Sequence, residues 1–191
     1  MSTYLTFSIK AVLVSLIWMP LIISFDTMYP HVVGKALFSR SAIEVILFLW
    51  IILLSLEPNY RPRKSWIFIA IIIYMIVGFL SAMSGVSFSH SMWSDYNRMW
   101  GLWDQLHWFA LIIVLSTIFK KPESWKPFFI WNLVIAVIIG LLALTEAFNM
   151  SPSPMRYANC ALDSTLGNPS YLSQIMMINI FIAAGLFVQS I

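Results

Sequence analysis

Six stretches of this chain stay apolar for close to the ~20 residues an α-helix needs to cross a hydrocarbon layer, which constrains the fold more than any other feature. They cover roughly 7–25, 41–56, 65–83, 106–119, 128–147 and 170–191. The second and fourth are short, and flanking residues such as Phe38 and Trp103 extend them. Only 10% of the residues are charged and 60% are hydrophobic, whereas a soluble domain is about 25% charged. Nine Trp, seven Tyr and fourteen Phe supply the aromatic residues that collect at membrane interfaces. The sequence thus predicts an all-α integral membrane protein with about six transmembrane helices. Residues 1–191 read as a single polytopic membrane segment, part of a larger multi-span bundle. The first span is not a signal peptide on this reading, because Pro20 lies inside it and no small-residue cleavage motif follows.

Lys and Arg in the connecting loops set the expected orientation. Arg61, Arg63 and Lys64 follow the second span, and Lys120, Lys121 and Lys126 follow the fourth. The remaining loops hold Lys35 and Arg40, then Arg98, then Arg156. The positive-inside rule places the six inside, with the N-terminus, and the other three loops outside. Those outer loops, about 26–40, 84–105 and 149–169, contain His31, His90, the lone Cys160 and most of the unusual polar residues, and His107 follows at the outer start of the fourth span. The basic residues form no run that would track a phosphate backbone, so nucleic acid is excluded as a partner. One cysteine allows neither an internal disulfide nor a cysteine-based metal cluster, and no HxxxH or HExxH pattern occurs. No metal and no cofactor are expected.

Polar chemistry concentrates in a few places. The run Asp163-Ser164-Thr165-Leu166-Gly167-Asn168-Pro169-Ser170 joins a polar loop to the last span. Gly167 gives access to positive φ, Asn168 is a good N-cap, and Pro169 fits the first helical position. Arg98 lies among Trp93, Tyr96, Trp100 and Trp103. A guanidinium there suits bidentate recognition of a phosphate or carboxylate, and equally a stack on Trp or a pair with Asp95. Arg40 and Glu44 sit four residues apart on one helix face and are expected to pair with each other. Asp104 reads as an N-cap of the fourth span, Glu146 as solvated, and Asn132 and Asn179 as interhelical hydrogen-bonding residues. His107 is the catalytic candidate this chain offers, with a structural role as its alternative. The second, fourth and sixth spans all start on the outer side. Their N-termini, with Arg98, Arg156 and Arg40, would favour a lipid-linked phosphate.

The segment STLGNPSYLS resembles a motif of the O-antigen ligase family, multi-span enzymes that ligate or polymerise lipid-linked glycans. The loop SFSHSMWSDYNRMWGLWDQLHWF is similar to the family's aromatic segment, through Arg98, Gly101, Leu106 and His107. The first outer loop, with Tyr29-Pro30, Gly34-Lys35, Phe38 and Arg40, matches in style. The chain departs from the family at Asn97, where Glu is frequent, and at Leu162-Asp163, where a basic residue is frequent. The resemblance implies transfer of a glycan from a polyprenyl-pyrophosphate carrier to an acceptor glycan or lipid at the outer face of the bacterial inner membrane. It implies phosphate contacts from Arg98, Arg156 and Arg40, and a pocket shaped by Gly101, Gly167, Asn168 and Pro169. It also implies further spans and a large outer loop beyond residue 191 that bears the catalytic base. The competing expectation is a non-enzymatic membrane scaffold or transporter component. Against an ion-coupled transporter stands the lack of paired charges at mid-membrane.

Overall fold

The computed structural model describes residues 2–95, 99–148 and 162–189. Its helices are α1 (Ser2–Ile17), α2 (Val33–Leu56), α3 (Trp66–Ser84), α4 (Phe88–Trp93), α5 (Leu102–Ile118), α6 (Pro122–Ala147) and α7 (Pro169–Val188). There is no β-strand among the described residues. Five segments are long and apolar enough to cross a membrane: α1 continued to Leu21, α2, α3, α6 and α7. The sixth, α5, has 17 residues. The chain is an all-α, multi-pass membrane protein.

Several boundaries differ from the hydropathy reading. The first span, expected at 7–25, runs as α1 from Ser2 to Ile17 and continues through a 3₁₀ turn to Leu21, with Pro20 in that turn. α2 begins at Val33, not near residue 41, so half of the expected first outer loop is helix. Its early turns carry Lys35 and Arg40, which hydropathy counts against a span. Both side chains are satisfied by neighbouring segments, and that lets the helix extend. α5 begins at Leu102, incorporating Trp103 as expected. α6 begins at Pro122 and runs through Pro127 without a break. Pro127 forfeits only the bond its N–H would make to the carbonyl four residues back, in the first turns of a 26-residue helix.

The connectors sort to two ends of the bundle. At one end Lys120 Nζ donates to the Asn59 carbonyl at 2.6 Å and sits 4.4 Å above the Tyr60 ring. This joins the connectors before α3 and after α5. Arg61, Arg63, Lys64, Lys121 and Lys126 belong to this basic end. At the opposite, polar end the starts of α2 and α7 meet through Thr165, and the start of α5 meets α2 through Arg40. The starts of α2, α5 and α7 thus share one end, and the connectors before α3 and after α5 share the other.

α1 is the hub. On one side Ile9 and Leu13 pack with Ile43, Ile46, Trp50 and Leu53 of α2 and with Leu111, Val114 and Ile118 of α5. On the other, Ile17 packs with Ile135 and Ile139 of α6 and with Leu166. Two polar pairs cross these interfaces. Trp50 Nε1 donates to Thr117 Oγ1 at 2.8 Å, and Asn132 Nδ2 donates to Asn179 Oδ1 at 2.7 Å. The second links α6 to α7, the interhelical role expected for both asparagines. By contrast, only 6% of the apolar windows of α3 and α7 is buried, against 33% for α2. Those faces are left for lipid or further helices.

The Asn132–Asn179 pair has a measurable value. A double-mutant cycle with Asn132→Ala and Asn179→Ala, read by reversible unfolding in mixed micelles, is expected to return a coupling of about 0.6–2 kcal/mol. Additive single effects would mean the bond does not hold α6 to α7.

Candidate functional site

The polar end is built around a short turn that lies inside the bundle. Ser164–Leu166 forms a single 3₁₀ turn, and all three residues are buried. Polar backbone placed there must find partners within the protein, because the apolar surroundings offer none. Several of these partners can be named. Glu146, at the end of α6, accepts from the backbone N–H of Asp163 at 3.2 Å and of Ser164 at 2.9 Å through Oε2. Ser164 Oγ donates to the Ile139 carbonyl, and Thr165 Oγ1 donates to the Pro20 carbonyl at 2.8 Å. The Thr165 carbonyl accepts from Lys35 Nζ, with His31 Nδ1 at 3.1 Å. The turn thereby ties together α6, the end of α1 and the start of α2.

Its exit is equally specific. Gly167 adopts φ +69°, and a Cβ there would lie 2.6 Å from the His31 ring. Only glycine satisfies both the left-handed backbone and the close ring. Asn168 then caps α7, accepting from the Ser170 N–H at 2.8 Å, and Pro169 takes the first helical position. These are the roles the sequence assigned to the three residues. Gly101, expected to shape the pocket, is the N-cap of α5, where a Cβ would lie 2.1 Å from the Met92 carbonyl oxygen. It lets the backbone of Met92 and Trp93 lie directly on the helix start.

A second polar cluster joins α2 to α5. These helices run parallel from the same end, so Arg40 and Glu44 on one face match Asp104 and His107 on the other. Arg40 Nε donates to Asp104 Oδ1 at 3.2 Å, and Nη2 donates to the Met99 carbonyl at 2.7 Å. Trp108 Nε1 donates to the other Asp104 oxygen at 2.8 Å. His107 Nδ1 lies 2.8 Å from the Trp103 carbonyl, and Nε2 lies 3.1 Å from Glu44 Oε1. A carbonyl only accepts, so Nδ1 carries a hydrogen. Nε2 then faces the Glu44 carboxylate oxygen. His107 is buried, but the Glu44 side chain is 61% exposed, so the pair opens outward from the bundle.

Three sequence readings change here. Arg40 does not pair with Glu44; each reaches across to α5 instead, because the parallel neighbour offers a counter-charge at matching height. Asp104 is not the N-cap of α5. Gly101 holds that position, and Asp104 sits in the first turn as the acceptor for Arg40 and Trp108. Glu146 is not solvated; it is 6% exposed and serves the buried turn. Arg98 and Arg156 lie outside the described residues. His90 and Asp95 make only an exposed contact at 3.7 Å. Sequence reasoning missed His31 and Lys35 as partners of the turn. A signal was there in Gly34, whose absent side chain lets α2 approach Ser24, with a Cβ there falling 1.9 Å from Ser24 Oγ. Among the described residues no group of three or more His, Cys, Asp or Glu is arranged to hold a metal ion. Neither family models, nor curated proteins, nor solved structures give a match to this chain.

The Asp163 carboxyl titrates above the usual carboxylate range, first because it is buried and second because Glu146 is close, with His31 and a backbone hydrogen bond pulling partly the other way. A carboxyl raised in the folded state stabilises below its unfolded pKa and loses that contribution as pH rises through its folded value. Asp163→Asn is therefore expected to raise the unfolding midpoint near pH 7, with the gain vanishing towards pH 4. A constant difference across that range would contradict the assignment. Gly167→Ala is expected to destabilise by at least about 1–2 kcal/mol from the left-handed backbone alone. Adding His31→Ala should recover the steric part of the loss, measured by thermal unfolding, while leaving the backbone part.

Proposed function

We propose that the chain carries the membrane portion of an enzyme that transfers a glycan from a polyprenyl-pyrophosphate carrier to an acceptor glycan or lipid, as the likeness to O-antigen ligases implies. The observation that supports this reading is the buried Ser164–Leu166 turn. The segment with the strongest family likeness is packed against His31, Lys35 and Glu146 as a built polar floor, not left as a linker. In this reading the polar end faces the outside of a bacterial inner membrane and the basic end faces the cytoplasm, in line with the loop charges.

The chemistry follows from the substrate. The acceptor hydroxyl oxygen bonds to the anomeric carbon as the bond to the carrier pyrophosphate breaks. The electron pair of that bond leaves on the phosphate oxygen, and the hydroxyl proton passes to a base. Cations fixed near the leaving oxygen stabilise its developing charge more than they stabilise the substrate. Arg98 and Arg156 take that role. Arg40 already spends Nε and Nη2 on Asp104 and Met99, so it contributes through its remaining N–H groups and by fixing the start of α5. The His107–Glu44 pair lies on the same end and offers a place for the proton the acceptor releases.

Purified protein in liposomes should bind a labelled polyprenyl-pyrophosphate oligosaccharide. Arg98→Ala and Arg156→Ala should each weaken that binding at least about tenfold, the value of a hydrogen bond to a charged group. Parental binding in both variants, or no binding by the parent, would overturn the proposal.

A further inference from the structure

At the basic end, a cavity of about 540 Å³ opens between the first turns of α6 and the last turns of α7. Lys120, Lys121 and Lys126 line it together with Trp125, Ile182 and Leu186. No carboxylate lines it among the described residues. Lys120 is held in place by the Asn59 carbonyl and the Tyr60 ring. Lys121 and Lys126 are exposed and make no side-chain hydrogen bond or ion pair among the described residues. With no carboxylate in the lining, Lys121 and Lys126 leave their ammonium protons to whatever enters, as does Lys120 those it does not give to Asn59. The walls are aromatic and aliphatic, and they continue onto the largely uncovered apolar face of α7. An occupant that satisfies both parts is anionic at its head and apolar behind it.

We propose that this cavity binds the headgroup of an anionic phospholipid, with the acyl chains laid along α7. Basic pockets between transmembrane helices are suited to such headgroups, and the attraction is worth a similar amount for each Lys. The site lies at the opposite end from the Ser164–Leu166 turn and does not depend on the proposed glycan transfer. Gly185 also lines the cavity, and a Cβ there would meet nothing within 4 Å, so the space beside it is open.

Native mass spectrometry of the purified, delipidated protein in zwitterionic detergent tests this with three probes: phosphatidylglycerol, phosphatidylcholine and inorganic phosphate. Phosphatidylglycerol should bind more tightly than phosphatidylcholine and should not be displaced by excess phosphate. The Lys121→Ala/Lys126→Ala variant should lose about thirtyfold in affinity, from two charges at the usual value per charge. Arg63→Ala/Lys64→Ala, which removes two charges from the same end outside the cavity, should bind as the parent does. Gly185→Leu fills the space without altering charge and should weaken binding at least about tenfold, the effect of one displaced polar contact. Equal affinity for the two lipids, displacement by phosphate, parental binding in either cavity variant, or an equal loss in the Arg63/Lys64 variant would each overturn the proposal.

Discussion

Every polar group carried into an apolar bundle must be met by another protein group, and at the polar end this requirement determines who sits beside whom. The Ser164–Leu166 turn brings backbone N–H and C=O groups and two hydroxyls into a place where Leu166 packs with Ile17, Ile135 and Ile139. Glu146 and Lys35 meet the backbone groups, and the Pro20 and Ile139 carbonyls accept from the Thr165 and Ser164 hydroxyls. Because these come from α1, α2 and α6, the turn acts as a polar clasp across helices whose apolar contacts alone specify little in a membrane. Its position in turn fixes where α7 begins.

The same rule explains the charged pairs between α2 and α5. An Arg or Glu one to three turns into a membrane helix is costly unless it is paired. Parallel helices solve this by presenting opposite charges at the same height, and the Arg40–Asp104 and Glu44–His107 pairs do so side by side. The two pairs differ in consequence. Arg40 and Asp104 are nearly enclosed and hydrogen-bonded on several sides, which suits a structural brace. Glu44 and His107 meet at 3.1 Å with the Glu44 side chain largely exposed, so this pair is the more open of the two.

How much of this was legible in the sequence depended on range. Local chemistry was readable: the turn at Gly167, the cap at Asn168 and the helix start at Pro169 each follow from a residue's own backbone preference, and each is present. So was the all-helical, multi-span character, since hydropathy acts over about twenty residues at a time. Among the described residues, though, five helices and not six are long and apolar enough to cross, α5 having 17 residues. What failed were statements about which distant residue a polar side chain would meet. Arg40 and Glu44 are well spaced to pair within α2, and nothing local reveals that α5 runs beside it with Asp104 and His107 in register. Glu146 looked like the end of a helix reaching water, because the turn that covers it lies 17 and 18 residues further along. The early start of α2 was hidden for the same reason: Lys35 and Arg40 count against a span until their partners are known.

The central claim is that the polar end, built on the buried turn, receives the phosphate-bearing head of a lipid carrier. A photoactivatable polyprenyl pyrophosphate, crosslinked to the protein in membranes and mapped by peptide sequencing, addresses it directly. Labelling should fall on the starts of α2 and α5 and on the Asp163–Asn168 stretch, and excess unmodified carrier should suppress it. Labelling confined to the basic end around Lys121 and Lys126, or spread evenly along the lipid-facing helices, would contradict the account.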